Sequence, residues 1–305
     1  MASSTSHSQR ATVFIAASET DANLYYATKF IAPDPFIYLE IKGERILVMS
    51  DLEMDRAKSQ SSVDRVLSYS EVEGRAKTQG IAEPGTVEVV HILLREAGIT
   101  QILVPANFPF GHALKFQSLG YQLFPKRDPF YEQRVVKTAE EIGYIEAAQR
   151  ATEQAVAAAF DLLRQASINK DQLWFEGIPL TSERVKKLIN VTLMECDCVA
   201  QHTIVAGGEQ ACDPHNEGSG PLPAHRSIIF DVFPRSATNR YFADMSRTVV
   251  RGTPSPELKR LYKTVLAAQE EAITKVKDGA DGKRIHQGIL ARFEKAGYQT
   301  GLVNG

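Results

Sequence analysis

Cysteine and tryptophan are scarce in this chain: its 305 residues hold three cysteines, Cys196, Cys198 and Cys212, and a single tryptophan. Three thiols cannot build the disulfide framework of a small secreted domain, and their scarcity favours a reducing compartment. Long apolar runs are missing too. The stretch VFIAA at residues 13–17 is too short for a signal-peptide core, and no run approaches the roughly 20 residues of a membrane span. A cytoplasmic protein is therefore expected. Neither sign of charge dominates, with 35 Lys and Arg against 37 Asp and Glu. Such a balance argues against a nucleic-acid or membrane surface.

What is present is the composition of a globular protein, 43% hydrophobic and 24% charged, with length for about two domains. The polar start, MASSTSHSQR, is expected to be a disordered tail over residues 1–10. The pattern from 11 to 134 predicts strands over 12–17, 36–41, 45–50 and 101–105. It predicts helices over 19–28 (opening after Ser18 or Thr20), 52–60, 87–97 and 111–119. Strands alternating with helices imply an α/β domain. His91 and His112 are lone histidines there and read as structural or surface groups.

Residues 127–136 form the natural junction, so the second domain is expected to span 135–305. The strongest helical signal of the chain follows, with Thr138 and Glu141 spaced as a capping box. Further helices are expected over 181–194, 256–277 and 283–297, with Leu258, Leu261, Val265, Ala268 and Ile273 turned inward from the second of these. A short strand is expected at 203–205.

Ile228–Phe233 and Tyr241–Val250 read as two strands of a hairpin, joined by a polar turn. Each strand carries one carboxylate, Asp231 and Asp244, in an apolar setting. An ionised carboxylate in such surroundings needs a cation, donors or a metal. On the residues alone two readings stay open. One is ion pairing with Arg235, Arg240 or Arg247; the other is a divalent-metal site. A separate constellation, Cys196-x-Cys198 with Cys212-x-x-His215, offers three thiolates and an imidazole for a structural zinc. Its tight Cys-x-Cys spacing and the burial habit of free cysteine weigh against it. His202 and His225 receive no role.

The full string, Asp-x-Phe-Pro-Arg at 231–235 and Tyr-x-x-Asp-Met-Ser-Arg-Thr at 241–248, resembles the metal-binding hairpin of the pita-bread metallopeptidases. That family includes aminopeptidase P, prolidase and methionine aminopeptidase. The separation of the two aspartates is slightly longer than the commonest family form, and the extra length is placed in the 235–239 turn. The order of elements over 11–134 resembles the creatinase-type N-terminal domain, which methionine aminopeptidases lack.

The resemblance implies a creatinase-like α/β domain followed by a pita-bread α+β catalytic domain. It implies a peptidase cleaving next to proline through a hydroxide held by two divalent ions, manganese, cobalt or zinc. Asp231 would hold one ion, Asp244 would bridge the pair, and His215 would contact the substrate carbonyl. A proline-containing peptide is the implied partner, and a homodimer is possible. The family's third ligand and two glutamates would fall beyond Gly305, so the chain is read as a fragment, inactive and weakly metal-binding alone. A creatinase-like or non-catalytic relative acting as a binding module is the alternative.

Overall fold

Strands and capped helices alternate through the first unit of the chain, Met1–Val136. A computed structural model describes residues 10–299. Most of the expected N-terminal tail lies outside the described residues, and Arg10 already opens β1 (Arg10–Ala16). Helix α1 (Ala22–Thr28) starts later than expected. Asp21 is its cap and accepts from the N–H groups of Asn23 and Leu24, both at 2.9 Å. Strands β2 (Phe36–Ile41) and β3 (Glu44–Met49) form a hairpin whose turn residues Lys42 and Gly43 have φ of 52° and 86°. Positive φ at both positions is what a two-residue turn between twisted strands requires.

The unit continues through α2 (Met54–Gln60), β4 (Arg65–Ser68), α3 (Tyr69–Thr78), α4 (Thr86–Glu96), β5 (Gln101–Pro105), α5 (Phe110–Ser118) and β6 (Gln122–Lys126). The sheet order is β4-β3-β2-β1-β5-β6, with β2 antiparallel to both its neighbours. Both faces are covered. Ile37, Leu39, Ile46 and Val48 enter one core with Val90 and Ile92, while Phe36, Tyr38, Leu47 and Met49 enter another with Phe14 and Phe30. Three elements escape the sequence pattern. Strand β4 has four residues, β6 carries Pro125, which a strand reading discounts, and α3 holds Gly74 in its interior.

The second unit, Lys137–Gly305, begins with the 27-residue α6 (Ala139–Gln165). A meander of β7 (Ser167–Asn169), β8 (Gln172–Phe175) and β9 (Ile178–Pro179) follows. Its strands of two to four residues are too short for a periodic signal. Then come α7 (Ser182–Glu195), β10 (Cys198–Val199), β11 (Ile204–Gly207), β12 (Ile228–Val232), β13 (Arg235–Ser236), β14 (Met245–Val249), α8 (Pro256–Lys275) and α9 (Gly282–Lys295). Strands β11, β12 and β14 form an antiparallel sheet in that order. Its inner face, Ile228, Phe230 and Val232, is buried with Ala155, Ala159 and Leu163 of α6. The ring of Phe160 meets Phe230 edge-on at 5.3 Å.

Two expectations are corrected here. The second hairpin strand starts at Met245, not Tyr241, and residues 235–236 are not turn but β13, paired with β10. The inward side expected for α8 is covered only in part: Ala268 is buried, but Leu261 is 40% exposed, Val265 47% and Ile273 63%. Helical spacing shows which residues share a face, not what lies over that face. Among the described residues no helix is long and apolar enough to cross a membrane.

Candidate functional site

The burial of β12 alternates residue by residue. Ile228, Phe230 and Val232 point into the core, which turns Ile229 and Asp231 to the opposite face. Across the sheet Asp231 pairs with Ser246 and Val232 with Met245. Asp244 precedes Ser246 by two residues, so pleating sets it on the same face as Asp231, one diagonal step away. The Ser246 hydroxyl donates to Asp231 Oδ1 at 2.6 Å. Partial desolvation, then the charge of Asp231 and hydrogen bonding toward it, push the Asp244 carboxyl above the usual carboxylate range. Two acids this close cannot both ionise cheaply without a cation.

Of the arginines read as partners, Arg247 donates to the Ser246 carbonyl at 2.8 Å, and among the described residues the charge acting on Asp244 is that of Asp231. The expected apolar setting is corrected, because Asp231 is half-buried and Asp244 exposed. A sheet packed on one side keeps its outward residues in contact with solvent. The donor set suits a hard or borderline divalent ion, whose charge would relieve the crowding of the two carboxylates.

His215 lies in the loop after a short 3-10 turn (Gly208–Cys212). Its backbone N–H is held by Asp213 Oδ1 at 2.9 Å, and the residue is exposed. It does not join the aspartates in a three-residue cluster; among the described residues no such group of metal-ligating side chains forms. The zinc constellation is not assembled either. Cys198 is buried, Cys212 is exposed, and the Cys196 thiol donates to Gln154 Oε1 at 3.3 Å. Three other histidines have partners of their own: His91 faces the Tyr121 hydroxyl, His202 faces Glu217, and His225 Nδ1 accepts from the Thr253 N–H.

Two residues of the site region were not singled out from the sequence. Ser246 belongs to the motif, but only strand register shows that its hydroxyl meets Asp231. Tyr241 donates to Glu141 Oε1 at 2.6 Å, a contact spanning 100 residues of chain. The Thr138–Glu141 spacing disclosed the cap of α6 but not this second partner.

Residues 143–305 match the model of metallopeptidase family M24. Over 172 residues the chain is 26% identical to a protein named Xaa-Pro dipeptidase from Pyrococcus furiosus, a match covering 56% of this chain and 46% of that protein. It is 24% identical over 283 residues to an Xaa-Pro dipeptidase from Pyrococcus horikoshii, covering 90% and 72% respectively. Its fold is similar to the crystal structure of X-Pro aminopeptidase from Thermotoga maritima, with a TM-score of 0.76 and 21% identity over 95% of this chain and 76% of that one.

Proposed function

Because the chain belongs to metallopeptidase family M24, we propose that it carries part of the centre of a metal-dependent peptidase cleaving next to proline, of the Xaa-Pro dipeptidase or aminopeptidase type. The observation that carries this reading is the pair of carboxylates on one sheet face, with Asp244 raised by the charge of Asp231. Asp231 and Asp244 are the residues that would hold divalent metal. Ser246 orients Asp231 by occupying one lone pair of Oδ1, leaving its other lone pairs for a cation. His215, exposed on its loop, would donate to the substrate carbonyl.

A bound divalent ion would polarise the scissile carbonyl and lower the pKa of water. Two carboxylates bring too few donor atoms to fill the shells of two metal ions, so water or other oxygen donors would complete them. An all-oxygen described set suits manganese better than thiolate-seeking ions.

Calorimetric titration with Mn2+, run beside an Xaa-Pro dipeptide assay, tests the reading. Asp244→Asn and Asp231→Asn should each remove metal binding, and with it any turnover. His215→Ala should keep the metal and lower kcat/KM by about two to four powers of ten, the scale of one lost transition-state donor. Full metal content and activity in Asp244→Asn would overturn the assignment.

A further inference from the structure

The segment that brings Asp244 to the site is not an ordinary hairpin turn. After β12 the chain makes an excursion over residues 233–244 before it re-enters the sheet at Met245. Arg235 and Ser236 pair with β10, and the Ala237 N–H donates to the Asp197 carbonyl at 2.8 Å. The excursion is then closed on itself. Ser236 N–H donates to the Tyr241 carbonyl at 2.9 Å and Ala243 N–H to the Pro234 carbonyl at 3.0 Å. Three residues before Asp244, the Tyr241 side chain leaves this closed unit and reaches α6.

Its target is Glu141, which already has a task. Glu141 Oε2 accepts from the Thr138 N–H at 2.8 Å, and the Glu141 N–H donates to Thr138 Oγ1 at 3.2 Å, completing the capping box. A capping box needs one glutamate oxygen at a solvated helix end. Here Glu141 is only 5% exposed, and its second oxygen takes the Tyr241 hydroxyl at 2.6 Å. Burying a carboxylate costs free energy that the cap alone does not require. The phenol also has a packed seat: the Tyr241 ring lies 5.4 Å from that of Tyr144, one turn along α6 from Glu141. A rigid ring with its hydroxyl pinned at one end fixes the backbone that carries it.

We propose that Glu141 and Tyr241 are positioning residues that lock the 233–244 excursion onto α6 and so hold Asp244 beside Asp231. This rests on the reading of those two aspartates as metal carboxylates. The pair acts through Asp244 and needs no contact with metal or substrate. Its contribution is preorganisation: without the lock, Asp244 would have to be ordered at the expense of metal binding.

The test separates the lock from helix capping and from the metal reading. Tyr241→Phe removes only the hydroxyl, Glu141→Ala removes lock and cap together, and Thr138→Ala weakens the cap while sparing Tyr241. Amide hydrogen exchange of the metal-free chain and Co2+ titration followed by visible absorption are run on all four proteins. Tyr241→Phe should raise exchange at the Ser236 and Ala243 amides about tenfold, leave the α6 amides unchanged, and weaken Co2+ binding about tenfold. Glu141→Ala should repeat this and also raise exchange in the first turn of α6. Thr138→Ala should raise exchange in that turn alone and keep Co2+ affinity. Unchanged exchange at Ser236 and Ala243 in Tyr241→Phe overturns the lock, whatever cobalt does. Raised exchange with unaltered affinity shows that the excursion is held but the site is not, and overturns it too. A wild-type chain that binds no Co2+ removes the metal reading and the positioning role with it, while the exchange data still report whether the excursion is locked.

Discussion

The six-stranded sheet of the first unit and the β11-β12-β14 sheet of the second are built on opposite plans. In the first unit β2 and β3 bury residues on both faces, Ile37, Leu39, Ile46 and Val48 into one core and Phe36, Tyr38, Leu47 and Met49 into another. In the second, β12 buries every other residue, and β14 exposes Ser246, Arg247 and Thr248 in a row. A sheet covered on both faces has no place for an ionised pair, because each carboxylate would lose its water without compensation. A sheet covered on one face can hold Asp231 and Asp244 together on its open side while Phe230 anchors the other. The first plan maximises apolar burial; the second leaves stability unclaimed on the face where chemistry is proposed.

That contrast can be broken first at its anchors. Leu39→Ala in the doubly covered sheet should cost about 2–5 kcal/mol, and Phe230→Ala, fully buried against Phe160, about 3–5 kcal/mol. Urea unfolding measures both. The only tryptophan, Trp174, lies in the second unit and reports Phe230→Ala through its fluorescence. A cost below about 1 kcal/mol for Leu39→Ala would show that the first sheet is not sealed on both faces.

Acid sharpens the comparison, because the two units respond with opposite sign. Burial and the nearby Arg95 hold the His91 imidazole below its ordinary pKa. Its contribution is present above the ordinary value of about 6.5 and is lost as pH falls through the depressed folded one. Asp244 is shifted the other way, by partial desolvation and then by the charge of Asp231. Its contribution is present below the ordinary value of about 3.9 and is lost as pH rises through the raised folded one. Lowering the pH of the metal-free chain through the His91 folded value should thus weaken the first unit. Lowering it further, through the Asp244 value, should relieve the second. His91→Gln and Asp244→Asn should each flatten the corresponding slope, read from urea midpoints at a series of pH values. A slope unchanged in Asp244→Asn would mean that the carboxylate pair does not sense its own repulsion.

The smallest effects belong to the open face itself. Ile229→Thr, opposite Thr248, should change stability by no more than about 1 kcal/mol, far less than its inward neighbour Phe230. Ser246→Ala should change stability by less than about 0.5 kcal/mol yet weaken Mn2+ binding roughly tenfold, as expected for a residue that orients a ligand. Unaltered affinity in Ser246→Ala would remove that residue from the site.

Much of this was written in local pattern. The 2–3 hairpin, the long α6 and its Thr138 cap, the Ser255 cap of α8 and the apolar runs of β1, β5 and β12 follow from periodicity and turn chemistry, which act over a few residues. The motif around Asp231 and Asp244 was legible for the same reason: its residues lie on two neighbouring segments. Strands of two to four residues, such as β9, β10 and β13, carry no period to read, and they exist because a partner strand lies beside them. Register decided that Asp231, Ser246 and Asp244 share a face, and among the described residues packing against the other face left Asp231 half-buried and Ser246 and Asp244 exposed. Glu141 shows the boundary most clearly. Its bond to Thr138 spans three residues and was visible in the sequence, while its bond to Tyr241 spans 100 and was not. Local sequence determines which backbone groups a side chain can reach within a turn of helix. Only the folded chain decides which distant hydroxyl arrives at its other oxygen, because that depends on the packing of every element between them.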